Sequence, residues 1–503
     1  MNAENEGLDP SSRASENRTA LLWTAAVTVA AFGTWVMFDA LPGLNWVLWT
    51  ASAAAGLAAL ARHQGVEARS VVLSGAAATL IAGAATFTAS PPLHALICVS
   101  VVVFLAMQML LSVNPSLLRI TVRFAITAPL VAFARAVTHG IRRASDATEL
   151  IQSSRARASV RGLAITVPIL IVFALLLAEA DPTFATWRDT VFTLLNWDVV
   201  PRVVFFTALF GLVLGAYGYA SSEAHYDTVQ APAATSHRWL GSTERLMLLA
   251  ATTALLWLFL ALQLGYFFGT VPNAPGMTFA EYARRGFGEL TLVASASAVL
   301  IIVAERYGQR GTHRRVLRVL TCALIAAVLL LLASAFRRVL LYEAAYGYTT
   351  ARLYAQAYMI AVAAGLLILS LEVVGDFDAD RLFRRSSAVA TTLFVALVYW
   401  NHEAWIARRN IDRFQTTGKL DIAYLANELS PNAIPAIADR LASLPEPTRS
   451  ELRTAVHTRY AKRIDLAEGR WFEWNQARAR ARATFATHFA IEAGNVPPVN
   501  GPP

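Results

Sequence analysis

Blocks of about 20 apolar residues recur along the chain as far as residue 405, separated by short polar loops. A helix of that length crosses the hydrocarbon core of a bilayer. Charged residues make up only 15% of the 503 residues, against about 25% in soluble domains. The sequence therefore predicts an all-α, polytopic transmembrane helical bundle. Its eleven predicted spans are 20–40, 44–61, 70–89, 93–113, 162–180, 203–220, 246–269, 287–304, 316–336, 353–374 and 388–405.

Arginine is concentrated in alternate loops between these blocks. The longest such loop, residues 114–161, carries eight arginines against Asp146 and Glu149. Because short loops rich in Lys and Arg stay on the cytoplasmic side, this loop and the N-terminus are predicted to be cytoplasmic. An odd number of spans then predicts that the chain after residue 405 is extracytoplasmic. The predicted location is a bacterial inner membrane, and the other cytoplasmic loops are 62–69, 305–315 and 375–387.

The net charge of +9 has a membrane explanation. In a soluble chain such a charge would suggest nucleic acid, but here the arginines face the anionic leaflet. The predicted partner is therefore the lipid bilayer, and no nucleic acid is expected. Residues 117–137 are also apolar, but Arg119, Arg123 and Arg135 flank a central Pro129. That pattern favours a helix lying in the membrane interface over a twelfth span.

Both ends of the chain are less apolar than the segment between them. Residues 1–19 are a polar tail, 20–405 the transmembrane domain, 406–490 a small helical domain, and 491–503 a tail predicted to be disordered. Within the helical domain, residues 418–441 are expected to form two short helices, with Ser430 capping the second. The apolar residues expected to pack them together are Ile422, Leu425, Leu429, Ile434 and Ile437.

Signatures of known catalytic sites are missing from the sequence. It has no P-loop, no HExxH, no CxxC and no GxSxG motif, and its histidines lack ligand spacing. Both cysteines, Cys98 and Cys322, lie inside apolar runs and are expected to be packing residues. No cofactor and no metal site is predicted. The one close pair of a histidine and an acid is His402–Glu403, at the end of the last predicted span. Pairs of this kind at a membrane interface are more often structural than catalytic.

Two predicted outer loops carry an unusual density of charge and tyrosine. Each holds an adjacent arginine pair on the side where arginine is rare, which is tolerable beside acids or an anionic ligand. The two loops are predicted to form one outer platform, a candidate site for an envelope protein or an anionic ligand. The alternative is that tyrosines sit at an interface and Arg–Glu pairs only lock loops together. The outer platform comprises Glu281, Tyr282, Arg284, Arg285, Glu289, Arg337, Arg338, Tyr342, Glu343, Tyr346 and Arg352.

The second of these loops has its own local signals. Gly347 can take a positive φ and end the helix that leaves the ninth span. Thr349 or Thr350 can cap the next helix. An isolated charge at this depth would be costly, so Glu343 is expected to pair with an arginine. The arginines considered are Arg337, Arg338, Arg352, Arg284 and Arg285.

Three segments resemble bacterial membrane proteins known as domains of unknown function, of the forty-one seventy-three type and the related forty-one fifty-three type. The segments are FAEYARRGFGEL, RRVLLYEAAYGYTTARLYAQAYM and IARRNIDRFQTTGKLDIAYLANELSPNAIPA. The resemblance covers roughly residues 240–440. It implies a membrane protein and brings no activity, substrate or cofactor. The matching residues beyond the outer platform are Gly286, Phe287, Leu341, Gly347, Thr349, Asn410, Arg413, Gly418, Asp421 and Tyr424.

Three hypotheses for the function follow. The first is a non-enzymatic envelope protein that binds a partner or an envelope component through its outer face. The second is a transporter of a small anionic solute, which should show broken helices and polar groups near the bilayer midplane. The third is a membrane enzyme acting on lipid-linked substrates, with Glu281, Glu289 or Glu343 as acid or base. A deep polar cavity between spans would favour the second or third.

Overall fold

Fifteen α-helices and a few single turns make up the described part of the chain. The computed structural model describes residues 10–63, 68–113, 122–148, 199–221, 240–267, 287–309, 314–461 and 469–489. The helices are α1 (Pro10–Met37), α2 (Leu44–His63), α3 (Ala68–Gly83), α4 (Pro91–Leu111), α5 (Val122–Thr148), α6 (Val200–Ala220), α7 (Ser242–Phe267), α8 (Phe287–Tyr307), α9 (Arg314–Tyr346), α10 (Thr350–Val374), α11 (Ala379–Tyr399), α12 (His402–Thr417), α13 (Ile434–Leu441), α14 (Thr448–Tyr460) and α15 (Gln476–His488).

Ten of the described helices, α1–α4 and α6–α11, are long and apolar enough to cross a membrane. They coincide with ten of the eleven predicted spans, which confirms the polytopic helical bundle. The remaining predicted span, 162–180, lies outside the described residues. Helix α1 begins at Pro10, inside the predicted polar tail, but its apolar part begins at Thr19. The predicted tail 491–503 also lies outside the described residues.

The two largest apolar cores among the described spans each join several helices. One is formed by α1, α2, α4, α5 and α6 and contains Leu22, Leu214 and Tyr217. The other is formed mainly by α7, α8, α9 and α10 and contains Leu324 and Leu366. Side chains in both are almost fully buried, so these helices are fixed by packing against one another.

Helix α5 covers the predicted interfacial segment and is not one of the ten candidate spans. Its buried Ala128 and Ala132 share a core with Met109 at the end of α4. Its approach to α6 is close, because a Cβ on Gly215 would lie 1.7 Å from the Ala136 carbonyl oxygen. Helix α5 therefore lies against the last turns of α4 and α6. That position agrees with an interfacial helix, which itself stays a prediction.

Helices α12–α15 form a separate core, here called the C-terminal body (residues 402–461 and 469–489). Four of the five predicted packing residues are fully buried in it, and Ile422 packs against it. Ser430 caps the second predicted helix, since its Oγ accepts a hydrogen bond from the Asn432 amide at 3.3 Å. The first predicted helix is different, because residues Tyr424–Glu428 form a π-helical turn.

The C-terminal body sits on the loops at one end of the bundle. The Asn432 Oδ1 atom accepts from the Ala89 amide at 2.8 Å. The Asn475 side chain donates to the carbonyls of Ala85 and Thr88, both at 2.7 Å. The Leu44 amide donates to the Trp474 carbonyl at 3.0 Å. The loops before α2 and α4 therefore lie at the same end of the bundle.

Candidate functional site

The turn between α9 and α10 has the predicted geometry. Gly347 takes φ +87° and ends α9, with its amide donating to the Glu343 carbonyl at 2.8 Å. The Thr349 Oγ1 atom accepts from the Arg352 amide at 3.4 Å and so caps α10. Both predictions are confirmed. They could be made because each depends on a local backbone requirement that few residue types satisfy.

Helix α12 clamps this turn from the C-terminal body. The side chain of Asn410 accepts from the Tyr348 amide at 2.7 Å and donates to the Tyr348 carbonyl at 2.8 Å. The Arg413 guanidinium donates to the carbonyls of Ala344, at 2.8 Å, and Ala345. These carbonyls belong to the last turn of α9 and have no partner within the helix. The segment carrying Asn410 and Arg413 thus binds the segment carrying Gly347.

The π-helical turn also binds the α9–α10 turn. Gly418, with φ +68°, ends α12. The Asp421 carboxylate then accepts from the Tyr424 amide at 2.9 Å. The Tyr424 hydroxyl accepts from the Thr350 amide at 2.8 Å. Asn410, Arg413 and Tyr424, which carry part of the family resemblance, therefore attach the C-terminal body to the bundle.

The outer platform forms only in part among the described residues. Glu343 is buried, and its carboxylate accepts from the Gln356 side chain at 2.8 Å. The expected ion pair between Glu343 and an arginine is absent from the described residues. The Arg352 guanidinium instead donates to the Gly347 carbonyl and lies 4.1 Å from the Tyr342 ring centroid. The Tyr342 and Tyr346 rings lie 4.8 Å apart.

Only three of the remaining residues of the outer platform are described. Arg338 is buried, whereas Arg337 and Glu289 are exposed on α9 and α8. Residues Glu281, Tyr282, Arg284 and Arg285 lie outside the described residues. The outer platform as a binding site therefore stays a prediction.

A polar cleft opens where the C-terminal body meets the bundle, here called the junction cleft. Its volume is about 200 Å³. It is bounded by the start of α4, the first turn of α10, the π-helical turn and the end of α14. The lining residues are Ala89, Ser90, Pro91, Pro92, Thr350, Tyr354, Glu403, Asn427, Glu428, Leu429, Ser430, Pro431, Arg459 and Tyr460.

Glu403 is the buried acid of the junction cleft, with 2% of its surface exposed. Its Oε2 atom accepts from the Ser430 amide at 3.0 Å and from the Ser430 hydroxyl. The N-terminal turns of α4 and α10 also border the cleft, and helix N-termini carry partial positive charge. These helix dipoles thus help to compensate the buried carboxylate charge. Within the described chain, the second carboxylate oxygen of Glu403 accepts no hydrogen bond.

His402 stands beside this acid and is neutral. Burial lowers the pKa of its imidazole, although the neighbouring Glu403 opposes that change. Its Nδ1 lies 3.2 Å from the Trp400 carbonyl oxygen and its Nε2 lies 3.0 Å from the Tyr354 hydroxyl. A neutral ring that donates to the carbonyl and accepts from the phenol satisfies both contacts. The histidine therefore positions Tyr354 at the edge of the junction cleft.

Two sets of ion pairs that sequence reasoning missed lie at the opposite end of the bundle. Arg245 of α7 pairs with Glu305 of α8, which also accepts from the Thr321 hydroxyl at 3.2 Å. Glu372 is buried and binds Arg381 at 2.6 Å and Arg385 at 2.9 Å. Each set joins neighbouring helices. No cluster of His, Cys, Asp and Glu that could hold a metal ion occurs in the described ranges.

Comparison with known proteins identifies a family but no activity. Residues 24–440 match the family described as "Domain of unknown function (DUF4153)". This match reaches well beyond the similarity noted over residues 240–440 and includes the N-terminal spans. No curated protein and no solved structure is detectably similar to the chain. A match over most of the chain, together with a bundle of apolar helices, shows that this integral membrane protein belongs to the DUF4153 family.

Proposed function

We propose that this integral membrane protein is a non-enzymatic protein of the bacterial inner membrane that binds an envelope component at its outer face. The junction cleft is the proposed binding site. The observation that supports it most is Glu403, a buried carboxylate of the cleft lining with one oxygen fixed by Ser430 and the other without a donor among the described residues. A buried acid with a remaining acceptor is a suitable anchor for a ligand that donates hydrogen bonds.

The lining of the junction cleft favours a particular ligand chemistry. Glu403 and Glu428 supply carboxylates, and Arg459 is the single cation among the lining residues. Tyr354 and Tyr460 add aromatic surface. Carboxylates beside aromatic rings suit a ligand with hydroxyl or amine groups and some apolar surface. The proposed ligand is therefore a polyhydroxylated or amine-bearing part of an envelope component.

Transport and catalysis have less support. Gln108, a buried polar residue in the last turn of α4, donates to the Ala54 carbonyl at 2.8 Å and thus joins α4 to α2. The junction cleft lies at the end of the bundle, where it does not connect the two membrane faces. Of the two described candidates for an acid or base, Glu289 is exposed at the start of α8 and Glu343 is held by Gln356. No specific observation favours either alternative.

Filling the junction cleft should abolish ligand binding. Asn427 is exposed at the rim of the cleft, and its backbone carbonyl, not its side chain, accepts from Arg459. Asn427→Trp should therefore occupy the cleft with little effect on folding. Native mass spectrometry of protein purified from its own membranes should show a bound component on the wild type and lose it with Asn427→Trp.

The matched control is Gln415→Trp, on the exposed surface of α12 in the same C-terminal body. It should retain the bound component. An equal loss from both variants would contradict the junction cleft as the site, and so would a wild-type protein that carries no component. Facilitated flux of a small anion through proteoliposomes, preserved in Asn427→Trp, would favour the transporter instead.

The proposed orientation places the C-terminal body on the extracytoplasmic side of the membrane and the loop between α10 and α11 on the cytoplasmic side. Ser450 is exposed in the C-terminal body, and Arg384 is exposed near the start of α11. In protein whose Cys98 and Cys322 are replaced by alanine, a membrane-impermeant maleimide should label Ser450→Cys in intact cells. It should label Arg384→Cys only after the cells are opened.

Two outcomes of the labelling have different meanings. Labelling of Arg384→Cys alone in intact cells would reverse the proposed orientation. Labelling of both cysteines in intact cells would contradict their location on opposite membrane faces, since α11 is one of the ten candidate spans.

A further inference from the structure

A second cleft lies between the C-terminal body and the loop that joins α1 to α2, here called the arginine cleft. Its volume is about 360 Å³. It is separate from the junction cleft and shares none of its residues. The lining residues are Leu41, Leu44, Gly469, Arg470, Trp471, Glu473, Trp474, Asn475, Arg478, Ala479 and Arg482.

Positive charge predominates in the arginine cleft. Arg470, Arg478 and Arg482 line it, against a single carboxylate, Glu473. That carboxylate already binds the Arg470 Nε atom at 2.5 Å. The lining therefore has two positive charges in excess of its acid. Three guanidinium groups around one space form a site for an oxyanion.

Backbone contacts hold two of the arginines in place. The Arg470 guanidinium donates to the Asp39 carbonyl at 2.6 Å. The Arg478 guanidinium donates to the carbonyls of Pro42 and Glu473, both at 2.8 Å. Arg478 is also 93% buried, since only 7% of its surface is exposed. These guanidiniums are positioned by the fold, so a bound anion would meet a preorganised site.

Two exposed tryptophans indicate at which depth in the membrane the arginine cleft lies. Trp471 and Trp474 are 62% and 51% exposed. The Trp471 ring lies 6.3 Å from the ring of Trp35, in the last turn of the apolar segment of α1. Exposed tryptophans at the end of an apolar span mark the headgroup region of a bilayer. The arginine cleft therefore opens at the depth where lipid phosphates lie.

We propose that the arginine cleft binds the phosphate group of an anionic phospholipid from the surrounding leaflet. The phosphate accepts from the guanidiniums, and the acyl chains run along the apolar surface beside Trp35. Lipid phosphates are present at this depth at high local concentration, which favours them over soluble phosphate. The proposal does not rest on the junction cleft, because the two sites share no residue.

A negative charge placed inside the arginine cleft should repel the lipid. Ala479 lines the cleft on α15 and is partly exposed, so Ala479→Glu introduces a carboxylate with a good helix former. Native mass spectrometry of the detergent-purified protein with added phosphatidylglycerol should show tight binding of one lipid. Ala479→Glu should weaken that binding about tenfold, as expected for the loss of one charge-assisted contact.

The matched control is Ala486→Glu, an exposed position on the same helix outside the cleft. It should bind phosphatidylglycerol like the wild type. A second variant, Arg482→Gln, removes a cleft cation without adding an acid and should also weaken binding. Thermal unfolding of all three variants separates a loss of affinity from a loss of fold.

The choice of competitor tests the identity of the ligand. Inorganic phosphate at millimolar concentration should not displace the lipid, and phosphatidylcholine should bind more weakly than phosphatidylglycerol. Displacement by inorganic phosphate would show that the ligand is a soluble anion and not a lipid. Equal binding of both lipids, or equal affinity in the Ala479→Glu and Ala486→Glu variants, would overturn the arginine cleft as a phosphate site.

Discussion

Glu305→Ala should lower the free energy of unfolding by roughly 3–5 kcal/mol, the cost of leaving a buried charge without its partner. The side chains of Arg245 and Glu305 are only 9% and 12% exposed. Glu305 also accepts from the hydroxyl of the buried Thr321, on helix α9 of the apolar core that α7–α10 form. Removal of the acid leaves the guanidinium in that environment, where it cannot regain water. Reversible unfolding in detergent, followed by circular dichroism, measures the effect.

Two variants separate the ion pair from other effects of the substitution. Glu289→Ala, at the exposed start of the same helix α8, should change the free energy by less than about 0.5 kcal/mol. The double variant Arg245→Leu with Glu305→Leu should recover most of the lost stability, because an apolar pair needs no partner. If Glu305→Ala destabilised no more than Glu289→Ala, the pair would not contribute to stability.

The spans could be predicted from the sequence because apolar length is a local property. Each of the ten described spans needs only a run of apolar residues, and the bilayer fixes the required length. The turn at Gly347 was predictable for a similar reason, since a positive φ restricts the residue type. The packing of Leu425 and Ile434 followed from helical spacing, although the π-helical turn did not.

The polar partners could not be predicted, because they are distant in sequence. Arg245 and Glu305 each look like an ordinary charge at the end of a span until α7 and α8 are packed together. Glu403 bonds to Ser430 across the core of the C-terminal body. Each residue could be identified in the sequence: Glu403 as part of a His–Glu pair, and Ser430 as a helix cap. Nothing local indicated that they meet at a cleft.

The predicted pairing of Glu343 with an arginine does not occur among the described residues, and Arg284 and Arg285 lie outside them. The prediction assumed that an arginine is the best partner for a buried acid. In the structure the Arg352 guanidinium turns toward the Gly347 carbonyl and the Tyr342 ring, which satisfies it at the surface. Gln356 lies one turn further along α10 and reaches Glu343 instead. An amide can donate to a carboxylate without the burial of a second charge.

Asn410→Ala should lower the free energy of unfolding by about 2–4 kcal/mol, since an unsatisfied buried polar group costs about 1–3 kcal/mol. Its side chain bonds to both the amide and the carbonyl of Tyr348, and alanine satisfies neither. The α9–α10 turn should then loosen from α12. Faster hydrogen exchange at the Tyr348 amide, with a lower unfolding midpoint, is the expected measurement.

Further variants separate the contributions of the two Asn410 hydrogen bonds. Asn410→Asp keeps an acceptor for the Tyr348 amide but loses the donor to the Tyr348 carbonyl, so its stability should lie between wild type and Asn410→Ala. Asn427→Ala, at an exposed position of the same C-terminal body, should be close to wild type. A Tyr348 amide that exchanges at the wild-type rate in Asn410→Ala would show that Asn410 does not hold the α9–α10 turn against α12. Because Tyr424 binds the adjacent Thr350 amide independently, such a result would leave the π-helical turn as the main attachment of the C-terminal body.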